Sequence, residues 1–301
     1  MKKILIVGCN GFIGKACSIF FSSSNSIVGC DIHMTSDTKN YFQIKSASDF
    51  ATLFSKFSFD ICINASGSAG VPFSFLDSSA DRILNFDNVV SLSETILNYN
   101  QNCRLIHFSS AAVYGNPISL PVNEEMPKAP LSPYGINKLD AEVYLKKQYS
   151  LAGLKSCSMR VFSAYGPGLH KQIFWDIFCK ANKSESITLF GTGRESRDFI
   201  FIDDLVKCIE LIIQKDFFYG DAINIASGIE VSIFEAASAF LANLDTSVTF
   251  CFSGSSRKGD PVNWRADISK LSKLGFYPSV DFHDGIRRTL QEYKQYFSRI
   301  E

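Results

Sequence analysis

The sequence predicts an α/β protein: a doubly wound parallel sheet with a smaller mixed α/β lobe after it. Three observations carry this. Short apolar runs alternate with helix-length amphipathic stretches through the first half. A GxxGxxG loop directly follows the first of those runs. The alternation gives way after GPG (166–168) to a more turn-rich remainder. Buried runs separated by helices indicate βαβ units.

In chain order, ILIVG (4–8) is the first expected strand and GKACSIFFSS the first helix. SIVGC (26–30), DICIN (60–64) and RLIHFSS (104–110) are the next strands. ADRILNFDNVVSLSETILNYN is one long helix, and another begins near Pro133. LKSCSMRVFSAYG (154–166) supplies a fifth strand, and FIFIDDLVKCIELIIQ a short strand leading into a strong helix. The expected division is a nucleotide-binding domain over 1–165, with return elements near 197–226, and a second lobe over 166–301.

Composition narrows the classes. Lys+Arg and Asp+Glu are both 30, so no overall field favours nucleic acid or an anionic membrane. The apolar run in MKKILIVGCNGFIG is too short for a membrane span or an export signal and reads as a β-strand. The nine cysteines are scattered without a CxxC pair, as expected of buried free thiols in a reducing cytoplasm. Four histidines without ligand spacing make a metal site unexpected.

GCNGFIG (8–14) lies between a strand and a helix. Gly8 allows the tight turn, Gly11 lets backbone approach a pyrophosphate, and Gly14 lets the helix pack on the sheet. Phe12 and Ile13, inside the loop, join the expected cofactor contacts. The free N–H groups of the helix start attract the anion. Asp31, closing the second strand, can accept both hydroxyls of an adenosine ribose and would repel a 2′-phosphate, which favours NAD over NADP. No arginine follows it; the next residues are Ile32, His33 and Met34.

SPYGINK (132–138) sets Tyr134 and Lys138 one helical turn apart on the same face. A tyrosine ordinarily ionises near pH 10, and bringing it to about 7 requires roughly 4 kcal/mol of preference for the anion. Lys138 and an oxidised nicotinamide can supply that preference, with burial opposing them. Tyr134 would then take a hydroxyl proton as hydride leaves the same carbon. Ser110, at the carboxyl end of its strand, can align the reacting oxygen.

Together, GCNGFIG, Asp31, SSAAVYG, SPYGINK, RVFSAYGPG, RDFIFIDDLV and RKGDP make the chain resemble the extended short-chain dehydrogenase/reductase family. The closer resemblance is to nucleotide-sugar epimerases and dehydratases of the UDP-galactose 4-epimerase type. The resemblance implies a Rossmann domain holding NAD and a lobe gripping a nucleoside diphosphate sugar. It places the catalytic set on Ser110, Tyr134 and Lys138, and NAD contacts on Asn64, Ala65, Ser66 and Asn85. It assigns Arg197 and Arg257 to the pyrophosphate, Asp260 to the nucleotide ribose and Ser163 to the substrate. It also implies a homodimer through helices around 82–100 and 134–150.

Departures from the family pattern narrow the reaction. Ala111 and Ala112 stand where dehydratases and 3,5-epimerases carry an acid or a cysteine, and neither can move a proton. Hydride chemistry at one carbon, most often C4, remains. A 4-epimerase and an NAD(P)H-dependent 4-ketoreductase both fit, with a non-catalytic NAD-binding regulator as a third reading. Ser163 replaces an asparagine, Ser46 an adenine-contacting aspartate, and Phe199 a tyrosine near the nucleotide. GLHKQIFWDIFCK (168–180) is expected to line the sugar–nucleotide pocket, with His170, Lys171 and Trp175 its more reactive members.

Overall fold

A computed structural model of the chain describes residues 1–33, 40–46, 48–244 and 247–298; Met34 lies outside them. The first half runs β1 (Lys3–Val7), α1 (Phe12–Ser22), β2 (Ser26–Asp31), β3 (Tyr41–Gln43), α2 (Asp49–Lys56), β4 (Ile61–Asn64), α3 (Val71–Leu76), α4 (Ser78–Arg82), a π-helical turn (Ile83–Asp87), α5 (Asn88–Tyr99) and β5 (Arg104–Ser110). Next come α6 (Pro133–Ala152), β6 (Ser156–Val161), β7 (Ser163–Tyr165), α7 (Gln172–Ala181), β8 (Ser186–Leu189), β9 (Ser196–Phe201) and α8 (Ile202–Gln214). The chain finishes with β10 (Asp221–Ile225), β11 (Glu230–Ser232), α9 (Ile233–Leu241), β12 (Thr249–Phe252), α10 (Ser269–Lys273) and α11 (Phe282–Phe297).

Seven parallel strands form the main sheet in the order β10-β6-β5-β4-β1-β2-β3. The order reverses between β1 and β4. The carboxyl edge at such a switch point is where open α/β sheets bind ligands. A three-stranded sheet, β11-β9-β7, and a two-stranded one, β12-β8, lie outside it.

Both faces of the main sheet are covered, which explains why its strands read as unbroken apolar runs. On one face, Ile4, Ile6, Ile61, Ile63 and Ile106 pack with Cys17 and Phe21 of α1 and Leu205, Ile209 and Ile212 of α8. On the other, Leu5, Val7, Cys62 and Leu105 pack with Phe50 and Leu53 of α2, Val89 and Leu92 of α5 and Leu145 of α6. Each such buried side chain contributes roughly 1.5–3 kcal/mol. A third cluster joins Ala111, Val113, Tyr114, Val122, Phe162, Ala226, Trp264 and Ala266.

Three sequence expectations are corrected, and one is refined by a local irregularity. The fifth run is two strands: β6 stays in the main sheet, while β7 leaves it to pair with β9. The long helix over 80–100 runs continuously from Ser78 to Tyr99, with a π-helical turn at Ile83–Asp87 within it. Of the segment near 197–226, β10 joins the main sheet and β9 does not. All nine cysteines are free, but Cys251 is exposed, on the two-stranded β12-β8 sheet, and Cys179 half-buried, off the Phe174, Ile177 and Phe178 face of α7. Among the described residues no helix is long and apolar enough to cross a membrane.

Candidate active site

The glycine loop turns at the carboxyl end of β1. Gly8 has φ +79°, and a Cβ there would stand 2.8 Å from the backbone of Ala65 and Ser66. Only glycine lets the β1 loop and the Asn64–Ser66 segment after β4 touch in this way. Asn64 accepts hydrogen bonds from the Ser66 backbone at 3.2 Å and its hydroxyl at 2.5 Å. Gly11 precedes α1 with no side chain capping the helix, and its first N–H groups remain available to an anion. Phe12 and Ile13 begin that helix and rest on the sheet core.

Asp31 closes β2. Its Oδ2 accepts the Asn10 backbone N–H at 2.9 Å, and its Oδ1 that of His33 at 3.3 Å. Asn10 also donates through its amide to the His33 carbonyl and the Tyr41 hydroxyl, both at 3.1 Å, and Tyr41 donates to the same carbonyl. Ser46, in the loop leaving β3, donates its N–H to Asp49 Oδ2 at 3.0 Å, at the start of α2.

Helix α6 carries the phenol and the ammonium. Ser132 caps it by accepting the Gly135 N–H at 3.2 Å, Pro133 sits in the first turn, and Gly153 ends it at φ +71°. Its buried face runs Tyr134, Asn137, Lys138, Ala141, Glu142 and Leu145. Ser110, at the end of β5, accepts the Ala112 N–H at 3.2 Å and has its hydroxyl beside the Tyr134 phenol. Burial raises that phenol to about 12, the nearby Ser110 hydroxyl pulls it down and Asp81 pushes it up. The net effect of the protein's own groups is therefore upward. Lys138 Nζ stands 5.9 Å from the tyrosine ring centroid and donates to the Phe108 carbonyl at 2.8 Å. Burial brings Lys138 down to about 8 against the pull of Asp81 and Glu142.

The residues at this edge fit a dinucleotide. Beyond the glycine turn and the Asp31 carboxylate, Asn85 Oδ1 is buried with no hydrogen-bond partner. That acceptor lies on the same side as Lys138: a Cβ built on Gly67 would be 2.6 Å from Oδ1 and 3.6 Å from Nζ.

Arg197, Arg257 and Asp260 come together in the second lobe. Neighbouring protein raises the Asp260 carboxyl, and Arg197 and then Arg257 pull it back, although the residue keeps an open path to solvent. Arg197 donates to the carbonyls of Ser196 at 2.8 Å and Val262 at 3.2 Å and lies over Trp264. Arg257 lies 4.2 Å over the Phe190 ring. This region is tied to the serine loop by Trp264 Nε1 donating to Gly115 O at 3.0 Å and Val262 N to Asn116 Oδ1 at 2.8 Å. Gly259 also lies against Val71 and Phe75 of α3. Ser163 sits on β7, paired with Phe199.

Two substrate-side expectations change. Phe199 packs against Tyr165, Phe174 and Phe282 in the lobe's core, so the hydroxyl it lacks would have had to be buried. His170 bonds Glu292 at 3.2 Å and stacks on Tyr296 at 3.9 Å, and Trp175 packs on Phe178, Tyr293 and Phe297. Those two fasten α7 to α11; Lys171 stays at the surface just before α7.

His107 was not singled out in the sequence, yet it sits beneath the site, fully buried, with both ring nitrogens unpartnered. Burial, then Lys138, hold it well below its ordinary 6.5. A depressed folded value means that only the unfolded state takes up the proton below about 6.5. The linked stability is fully present above that pH and declines as pH falls, by about 1 kcal/mol per unit. His107→Leu should flatten this decline in urea unfolding measured at neutral and mildly acidic pH; an unchanged slope would assign it to other groups.

The family model for the NAD dependent epimerase/dehydratase family matches residues 4–226. The chain is 27% identical to the putative UDP-glucose 4-epimerase of Methanocaldococcus jannaschii, over 95% of this chain and 97% of that one. The solved UDP-glucuronic acid 4-epimerase of Bacillus cereus, in complex with UDP-glucuronic acid and NAD, superposes with a TM-score of 0.88 at 27% identity, covering 98% of this chain and 99% of that one. The UDP-N-acetylglucosamine 4-epimerase of Methanobrevibacter ruminantium, in complex with UDP-N-acetylmuramic acid, does so with 0.86 at 26%, covering 98% and 99%. With the glycine turn, the carboxylate and the serine–tyrosine–lysine set at one sheet edge, the chain belongs to the NAD-dependent epimerase/dehydratase family, of the extended short-chain dehydrogenase/reductase type.

Proposed function

We propose that this protein is a UDP-sugar 4-epimerase working by reversible hydride exchange at sugar C4. The observation that carries the reading is Tyr134 and Lys138 buried together on one face of α6, beside Ser110 at a strand end whose next residues are alanines. Ser110 aligns the C4 oxygen and Tyr134 takes its proton. Lys138 keeps a positive charge at the site and holds the nicotinamide ribose. Ala111 and Ala112 offer no second acid, so no leaving group is protonated. Bound NAD⁺ supplies the hydride acceptor and a positive charge that favours the phenolate. Arg197 and Arg257 grip the diphosphate, where a guanidinium fork matches two phosphate oxygens, and Asp260 meets the nucleotide ribose. The 4-epimerase relatives support the uridine nucleotide. The dinucleotide would occupy 1–165 with β10, and the sugar nucleotide the lobe over 166–301. Exposed Tyr99 on α5 and Ile136 and Val143 on α6 suit a homodimer through those helices.

The test is incubation with UDP-glucose, UDP-N-acetylglucosamine and UDP-glucuronic acid without added cofactor, with the C4 epimers resolved by chromatography. Interconversion of at least one is expected. No conversion, together with oxidation of NADPH by a 4-keto-6-deoxy nucleotide sugar, would replace the epimerase by a reductase.

A further inference from the structure

Asp81, at the end of α4, is completely buried. Its Oδ1 accepts the Asn85 amide at 2.9 Å and its Oδ2 the Asn137 amide at 2.8 Å. A carboxylate has acceptors only, so it draws both NH₂ groups towards itself and turns the amide oxygens away. That fixes the orientation of Asn85. Its Oδ1 is the buried, unpartnered acceptor beside Gly67 and Lys138. Asn85 is carried by the π-helical turn, an irregularity that concentrates at functional sites.

Four titratable groups face Lys138: Asp81 from α4, His107 from β5, and Tyr134 and Glu142 from α6 itself. Burial keeps His107 and Tyr134 neutral. Glu142 is already paired with Arg160 at 2.6 Å. Asp81 is bonded by two neutral amides, and among the described residues no cation is paired with it. Its field therefore reaches Lys138 unspent. Asp81 is also close to the lysine: it is one hydrogen bond from Asn137, the residue before Lys138, and one from Asn85, whose Oδ1 flanks the same point at Gly67 as Lys138 Nζ.

We propose, resting on the reading of Tyr134 and Lys138 as the catalytic pair, that Asp81 is a positioning residue with two tasks: it aims the Asn85 oxygen at a hydroxyl of the cofactor's ribose, and its charge keeps Lys138 an ammonium. The absent-charge variant Asp81→Asn separates these tasks from mere packing.

NAD binding is measured by calorimetry on the wild type and on Asp81→Asn from about pH 6 to about pH 10. Wild-type affinity should weaken on the alkaline side as Lys138 loses its proton. In Asp81→Asn the decline should begin about one pH unit lower, with affinity near neutral pH about tenfold weaker. Asp81→Glu, which keeps the charge, should restore the alkaline limb. Superimposable wild-type and Asp81→Asn curves would overturn the proposal. If Asp81→Asn does not fold, the exchange Asp81→Asn with Asn137→Asp keeps one carboxylate and one amide in the pair. It should hold the alkaline limb yet bind NAD weakly, because Asn85 is no longer oriented; wild-type affinity there would also overturn it. The measurement uses NAD alone, so failure of the epimerase reading shows in the sugar assay and not here.

Discussion

Tyr134→Phe is expected to cut turnover about a thousandfold, or roughly 4 kcal/mol of barrier, while NAD affinity stays within a few-fold. The change removes one oxygen from a buried ring and leaves α6, Ser110 and Lys138 in place. The affinity should hold because Lys138 keeps its bond to Phe108 O without help from the phenol. Turnover should collapse because Ser110 and the two alanines after it contain no group that ionises near neutral pH. The phenol itself, raised to about 12 by burial, depends on nearby positive charge to reach a working range. Steady-state rates and calorimetry on one preparation check both halves. Turnover within tenfold of the parent would take the acid–base role away from Tyr134.

Glu142→Ala, on the buried face of α6, is expected to cost about 4 kcal/mol of folding stability. Glu142 accepts Arg160 Nη2 at 2.6 Å, Arg160 Nε at 3.0 and 3.1 Å, and the Ser109 hydroxyl at 2.5 Å. Arg160 continues to the Tyr114 hydroxyl at 2.8 Å, which donates to Asn224 at 2.7 Å. Truncating the acid strands a buried guanidinium whose remaining partners are all neutral. Replacing both charges, as Glu142→Leu with Arg160→Met, should recover most of the loss, since a well-packed apolar pair avoids both desolvation penalties. Urea unfolding of the two variants decides it. A loss below about 1 kcal/mol for the single change would mean that solvent reaches Arg160.

The main sheet was legible because its strands are buried on both faces and so appear as plain apolar runs. β3, with three residues, and the split between β6 and β7 carried no such signal. Helix α6 shows why part of the site was hidden. Its inward stripe contains Tyr134, Asn137, Lys138 and Glu142, so hydrophobic periodicity sees no buried face there. Tyr134 and Lys138 were singled out by their spacing, read together with the glycine loop and the serine motif. Asp81 could have been noticed four residues before Asn85, a spacing that puts both on one side of a helix. Its other partner, Asn137, is distant in sequence and only the fold supplies it. His170 and Trp175 looked chemical for the opposite reason: reactive residue types were being used as packing.

The third apolar cluster has a consequence for how the molecule is made. Its members range from Ala111 to Ala266, so the wall beside Ser110 is closed by Trp264 and Ala266, long after the seventh strand has left the ribosome. A nascent chain halted just past Ile225 would hold every strand of the main sheet and still expose Val113, Tyr114 and Phe162. That patch is closed only when the RKGDPVNWRAD stretch, with Trp264 and Ala266, packs over it.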